Sequence, residues 1–327
     1  MRPFTYAKPS QTSDASKSLK QSNSAIIAGG TNLLDLMKLD VNQPAHLIDI
    51  NKIAELSQIK NNKGGLLVGA LVKNSDLAHN KQVLENFPML SQAILSGASA
   101  QVRNMASTAG NLLQRTRCYY FRNSTMPCNK RDPGSGCPAI DGYNRIHAIL
   151  GTSDSCIATN PSDMAVALMA LDAVIHIEGS GAKRSVPITK FYVLPGAHPE
   201  KETVLKDGEI ITAVEIPQLA AAKHSRYLKI RDRKSFAFAL VSVACALDVK
   251  NGVIKEARLA LGGVGTIPWR CTEAEKILVG KPAKKETFKL AAEAAVKSAV
   301  THKHNKFKVE LCKRTIVKAL SALENLA

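Results

Sequence analysis

The stretch from Cys118 to Cys156 carries four of the chain's seven cysteines, Cys118, Cys128, Cys137 and Cys156, and has no long apolar run to fold around. A segment that cannot order itself by burial needs another anchor. Four thiolates brought together can hold an iron–sulfur cluster or a zinc ion, or can pair as two disulfides. The intervening gaps are nine, eight and eighteen residues, too wide for a zinc ribbon built on close CxxC pairs. Spacing alone leaves cluster, zinc, disulfides and unliganded thiols open. Cys245, Cys271 and Cys312 stand singly in apolar or helical surroundings and read as small core residues.

With 327 residues and a hydrophobic fraction of 45%, the chain is long and apolar enough for two folded domains and is not a disordered one. No run approaches the roughly 20 apolar residues of a membrane span, so no membrane insertion is expected. The first twenty residues have no apolar h-region. The chain is therefore expected to carry no signal peptide of its own, and to be cytoplasmic or periplasmic by co-export with a partner. A formal net charge of +17 raises nucleic-acid binding. The lysines are densest at 281–289 and 303–318, on polar helix faces, and no aromatic-interleaved basic strand accompanies them. Acidic partner subunits are the better reading, and no nucleic-acid partner is expected.

Periodicity predicts strands at 24–28, 46–50, 66–70, 173–178 and 210–216, and helices at 77–96 and 163–171, with a glycine turn at 179–181. Beyond residue 218 the pattern changes to three strands, at 227–231, 239–249 and 254–261. Asn251-Gly252 supplies a hairpin turn between the last two. Helices follow at 272–279, 285–298 and 308–323. The domain boundary falls at about residue 220.

Ile26-Ile27-Ala28-Gly29-Gly30-Thr31-Asn32-Leu33-Leu34 runs from a strand through a small-residue turn into a helix start. Glycines let backbone approach a ligand closely, and N–H groups at such a turn favour an anion. A tight strand–helix turn needs glycines as well, and the pattern is neither GxGxxG nor a Walker loop. A second small-residue segment, Ser107-Thr108-Ala109-Gly110-Asn111, lies just before the cysteines; two such segments suit the two phosphates of a dinucleotide. His302-Lys303-His304 lacks further metal ligands nearby and reads as a surface loop. Gly262-Gly263-Val264-Gly265 reads as a strand-ending turn. No arrangement suited to hydrolysis is found.

On these residues the chain resembles the FAD-binding medium subunits of the molybdenum hydroxylases, the xanthine dehydrogenase and aldehyde oxidoreductase family. AGGTNLLDLMK at 28–38 is similar to the family's first flavin loop, and QVRNMASTAGNL at 101–112 to its second, with Ala109 where a glycine is usual. NPSDMAVALMALDA at 160–173, DGEIITAVEIP at 207–217 and YLKIRDRKSFAFALVSVA at 227–244 extend the match, and RLALGGVGTIPWR at 258–270 resembles the signature of the C-terminal domain. The resemblance implies an α+β fold. A two-part FAD-binding domain of the p-cresol-methylhydroxylase type (1–220) precedes a small domain of the CO-dehydrogenase-flavoprotein type (221–327), a three-stranded antiparallel sheet with a helix bundle.

The cysteine segment, at about 112–160, is similar to that of periplasmic-type bacterial aldehyde oxidoreductases, whose FAD subunit also carries a 4Fe–4S cluster. The contexts QRTRC, CNKR, GSGC and SDSCIAT stand at 114–118, 128–131, 134–137 and 153–159. The resemblance implies Cys118, Cys128, Cys137 and Cys156 as cluster ligands. It implies FAD bound by Ile26 to Leu34, that is Ile26, Ile27, Ala28, Gly29, Gly30, Thr31, Asn32, Leu33 and Leu34, and by Thr108, Gly110 and Asn111. Asp163, Ile211 and Lys229 match flavin-facing positions, Lys229 as a residue that tunes the potential; Asp163 also suits a helix N-cap and Ile211 a core strand. The implied function is electron transfer within an aldehyde oxidoreductase heterotrimer. A molybdenum-cofactor large subunit oxidises the substrate, a small subunit holds 2Fe–2S clusters, and electrons leave through FAD to an external acceptor. A hydroxylase acting on a purine, an N-heterocycle or an aromatic thioester is the alternative, as is a zinc-stabilised scaffold without flavin.

Overall fold

The computed structural model describes residues 1–179 and 181–324; residue 180, inside the turn expected at 179–181, and residues 325–327 lie outside the described residues. The chain begins with β1 (Thr5–Ala7), α1 (Thr12–Leu19), β2 (Ser24–Ile27), α2 (Leu33–Lys38) and β3 (His46–Asp49). β3 lies between β1 and β2 and runs parallel to both. Parallel neighbours require a crossover, and α1 and α2 supply elements between the strands. The small-residue turn at Gly29 and Gly30 thus leaves the end of β2 and enters α2.

β4 (Ile59–Asn62) and β5 (Gly65–Gly69) follow as a hairpin. A helical run comes next: α3 (Asn74–His79), α4 (Lys81–Asn86), α5 (Pro88–Ser96), α6 (Ala100–Met105), α7 (Thr108–Leu112), α8 (Tyr119–Arg122) and, after the rest of the cysteine segment, α9 (Asp163–Ala170). The single helix expected over 77–96 is three. Asn80 leaves helical geometry and caps α4, its side chain accepting from the N–H groups of Gln82 and Val83. Pro88 opens α5 and holds Phe87 outside the helical region. Apolar periodicity runs across both breaks, which is why it reads as one helix.

β6 (Val174–Gly179), β7 (Ala182–Pro187) and β8 (Ile210–Ile216) join the earlier hairpin in an antiparallel sheet of order β4-β5-β8-β6-β7. The C-terminal part builds a second antiparallel sheet from β9 (Ser225–Ile230), β10 (Val241–Lys250), β11 (Val253–Gly262) and β12 (Trp269–Arg270), in the order β12-β11-β10-β9. Asn251 and Gly252 take φ of 53° and 73°, as a two-residue hairpin turn demands. The expected three strands gain a fourth, a two-residue edge too short to show any period. α10 (Thr272–Leu278), α11 (Lys285–Ala295) and α12 (Phe307–Glu324) complete the chain.

Two large apolar cores result, one among β4 to β8 and helices α3, α4, α5, α7 and α9, the other among β10, β11 and the last three helices. α9 packs against α5 on one side and β10 and β11 on the other. Met164 to Ala170 are all buried, as expected of a helix apolar all round. A third, small cluster gathers Leu36, Phe121 and Ala158 with Cys118, Cys128 and Cys156. Ile149 and Leu150, inside the cysteine segment, belong to the second core. Cys245, Cys271 and Cys312 are buried there too, in keeping with their reading as core residues. Among the described residues no helix is long and apolar enough to cross a membrane.

Candidate functional site

A cavity of about 500 Å³ opens where several helices, the turn before α2 and β9 meet. Thr31 and Asn32 reach it from the turn before α2, Gly110 and Asn111 from α7, Asp163 from the start of α9, and Lys229 from β9. Gly29 and Gly30 set the wall behind Thr31. A Cβ on Gly29 would stand 2.0 Å from the Met105 carbonyl oxygen, so the turn packs directly on the backbone at the end of α6, just before the second small-residue segment. Gly30 sits at φ +68°, where a side chain is strained. Ala109 occupies ordinary helix in α7, and its N–H is spent on the Ala70 carbonyl.

At the far end, Ser162 caps α9 by accepting from the Ala165 N–H, which frees the Asp163 carboxylate. Lys229 Nζ donates to Asp163 Oδ2 at 2.7 Å and to the Ser96 carbonyl at 3.1 Å, and the Tyr227 hydroxyl donates to Asp163 Oδ1 at 2.6 Å. The lysine and aspartate side chains are only 3% and 10% exposed, so the pair is close to fully withdrawn from water. Burial, reinforced by Asp163, pushes the Tyr227 phenol well above its usual range and keeps it a donor.

The sequence reading is brought together in part. Thr31, Asn32, Gly110, Asn111, Asp163 and Lys229 line the cavity; Ile26, Ile27, Ala28, Gly29, Gly30, Leu33, Leu34, Thr108 and Ile211 do not. The Thr108 hydroxyl is turned away, donating to the Val72 carbonyl at 3.0 Å. Ile211 is buried in β8 opposite Ile177. Sequence reasoning missed Arg103, Arg117, Arg122 and Phe238, which also line it. Arg117 and Arg122 share Asp35, and the Arg117 guanidinium stands 4.8 Å over the Phe238 ring. Their signal, arginines flanking the first cysteine, carries no spacing rule that would point back to α2.

The four cysteines of the segment line one small cavity. Burial pushes the Cys118 thiol up to about 12, against hydrogen bonds from the Phe121 and Tyr120 backbone that favour its thiolate. Cys156 is pushed up to about 11 by burial, opposed by the Lys130 ammonium and the Ala158 N–H. Burial raises Cys137 as well, against the backbone at Ala139 and Ile157. Three sulfurs therefore receive main-chain donors that favour the thiolate, while burial favours the neutral thiol. Among the described residues no three His, Cys, Asp or Glu side chains form a group that could hold a single metal ion. α2 lies between the two: Asp35 lines the large cavity, while the next residue, Leu36, belongs to the apolar cluster of Cys118, Cys128 and Cys156.

Residues 2–219 match the family described as the FAD binding domain in molybdopterin dehydrogenase, and residues 226–323 the CO dehydrogenase flavoprotein C-terminal domain. The chain belongs to this flavoprotein family. It is 47% identical to the aldehyde oxidoreductase FAD-binding subunit PaoB of Escherichia coli (strain K12), over 98% of each chain. It is 29% identical to the glyceraldehyde dehydrogenase medium chain of Sulfolobus acidocaldarius, over 85% of this chain and 82% of that one. Its fold superposes on quinoline 2-oxidoreductase from Pseudomonas putida 86 with a TM-score of 0.77 at 26% identity, over 100% of this chain and 98% of the other. The chain is an oxidoreductase subunit of the molybdenum hydroxylases, and it binds FAD.

The cavity fits that cofactor. Asn32 accepts the Arg115 N–H at 2.8 Å through Oδ1, while its buried Nδ2 has no partner. Arg103 Nε, Arg117 Nε and Arg122 Nη1 are likewise buried without a partner. A buried donor left unpaired costs about 1–3 kcal/mol. Four such donors, three of them on guanidinium groups, around one cavity are accounted for by an anionic ligand rich in acceptors, as a pyrophosphate is.

Proposed function

We propose that this chain is the electron-transfer subunit of a molybdenum-dependent aldehyde oxidoreductase, carrying FAD in the large cavity and one 4Fe–4S cluster on Cys118, Cys128, Cys137 and Cys156. The observation that carries the reading is the convergence of these four cysteines, spread along the chain, on one small cavity, three of them clustered with Leu36 of α2, the helix whose Asp35 lines the large cavity. The sulfurs of a cubane sit on separate iron atoms and stand farther apart than the ligands of one ion. Four thiols lining one small pocket supply the ligand type and number that a cubane takes. Main-chain donors to Cys118, Cys137 and Cys156 favour thiolates, and cationic iron would supply the remaining stabilisation that burial withholds.

Bound flavin supplies one- and two-electron chemistry, and the residues of this chain set its surroundings. Asn32, Arg103, Arg117 and Arg122 would hold the phosphates, with Gly29 and Gly30 allowing the close approach. Lys229, fixed by Asp163 and the Ser96 carbonyl, would place a positive charge beside the flavin and favour its reduced form. We place the domain boundary at about residue 220, with the cysteine segment belonging to the first domain by sequence and laced onto the second by packing. A large subunit with the molybdenum cofactor and a small subunit with 2Fe–2S clusters would complete a heterotrimer. In it, electrons arrive from the aldehyde through those partners and leave to an external acceptor.

The test is the metal, sulfide and flavin content of anaerobically purified complex, with low-temperature EPR after reduction. Four iron and four labile sulfide per chain beyond those of the small subunit, with one FAD, are expected. Stoichiometric zinc without iron in this chain would overturn the cluster. Failure of aldehydes to bleach the flavin in the co-expressed complex, with bleaching by a purine or N-heterocycle, would overturn the substrate class.

A further inference from the structure

His147 is buried, and its Nε2 lies 3.1 Å from Cys118 Sγ. Its other ring nitrogen, Nδ1, is buried with no partner. A neutral imidazole carries one proton. On Nδ1 that proton would have only the Asn144 carbonyl, which already accepts from the His147 N–H and makes no well-formed bond to Nδ1, and the Nε2 lone pair would face the lone pairs of sulfur. On Nε2 it has an acceptor, so the Nε2–H tautomer is the one this geometry selects.

The ring is held from both sides. The His147 N–H donates to the Asn144 carbonyl at 3.0 Å, and its own carbonyl accepts from Lys308 Nζ at 2.9 Å. Lys308 is fully buried in α12 and also binds the Gly263 carbonyl at 2.7 Å. The next carbonyl, of Ala148, accepts from Asn305 Nδ2 at 3.1 Å. Two side chains of the C-terminal region therefore anchor the backbone that aims His147 at a cysteine of the first.

We propose that His147 is a positioning residue for the cluster: its Nε2–H donates to the Cys118 sulfur and raises the reduction potential of the bound cluster. This rests on the cluster reading above. Reduction adds negative charge that is shared with the ligand sulfurs, and a hydrogen bond to such a sulfur stabilises the more negative state. Unlike the main-chain donors at Cys118, this one is supplied by a side chain and can be removed without breaking the loop.

The experiment compares the parent complex with His147→Leu and His147→Gln, reading iron and labile sulfide per chain and the midpoint potential of the cluster's EPR signal. The Leu variant, which lacks a donor, is expected to keep its iron and shift to a lower potential, and the Gln variant, which restores an N–H, to return toward the parent. If Leu loses iron and Gln retains it, the donor is still what matters and the proposal stands. An unchanged potential in an iron-replete Leu variant overturns it, as does equal loss of iron in both variants, which would mark a packing role. A parent chain with no iron overturns the cluster reading and this assignment together, and is recognised before any variant is compared.

Discussion

Lys229 Nζ lies 2.7 Å from Asp163 Oδ2, joining the first residue of α9 to the penultimate residue of β9 across 66 positions of sequence. The pair sits in the wall of the large cavity, the proposed flavin site, and is nearly dry. Replacing Lys229 by Met removes the positive charge and strands the carboxylate. The expected outcome is a lower flavin reduction potential with FAD still bound, and destabilisation by about 3 kcal/mol, typical when one member of a buried pair is lost. Spectroelectrochemical titration and thermal unfolding check both. An unchanged potential would remove Lys229 from the flavin's surroundings.

Gly30→Val is expected to abolish FAD binding while the C-terminal sheet and helices stay folded. The residue holds φ +68°, and a Cβ there would stand 2.9 Å from Leu34 Cδ1. A branched side chain must therefore rebuild the turn that carries Thr31 and Asn32. Flavin absorbance of the purified variant and far-UV circular dichroism separate the two effects. Full flavin occupancy would show that the turn does not form the phosphate site.

FAD is expected to be held without a covalent bond, because no His, Cys or Tyr is among the described residues lining the cavity. Acid precipitation should leave the flavin in the supernatant. Flavin in the pellet would contradict this.

Serine at any one of Cys118, Cys128, Cys137 or Cys156 is expected to cost iron and labile sulfide and to open the segment to proteolysis, since three of these residues form its small apolar cluster. Part of the FAD should survive, because Asn32 and Arg103 stand outside the cysteine pocket. Retention of a full complement of iron in all four variants would count against the ligand set.

Burial lowers the Lys308 ammonium from its usual range to about 7. Between that value and the ordinary lysine range near 10.4, the unfolded chain binds more protons at this site than the folded one, so its contribution to stability rises with pH across that window. Below about pH 7 both states are charged and the cost of burying the ammonium is paid in full. Lys308→Met should flatten the rise relative to the parent. Urea unfolding at pH 7 and pH 9.5 measures it, and parallel slopes for parent and variant would contradict it.

Local signals in the sequence were enough for much of this protein. β-branched and apolar runs mark β2, β8, β10 and β11, since half-buried strands demand them at short range. Asn251-Gly252 marks its hairpin, because few pairs tolerate two positive φ angles. The glycine segment, the cysteine contexts and the start of α9 carry the family resemblance. The helices between Asn74 and Ser96 were less legible, because capping by Asn80 and Pro88 acts against a continuous apolar period. What only the tertiary structure decided are contacts between distant residues. It turned Thr108 toward Val72 and Ile211 into the core, brought Arg103, Arg117 and Arg122 to the large cavity, and set Lys229 on Asp163. It also tied the cysteine segment to Lys308 of α12 and to Asn305 just ahead of that helix. Such pairings depend on which faces of packed elements meet, and long-range packing leaves no period or spacing in the chain to be read.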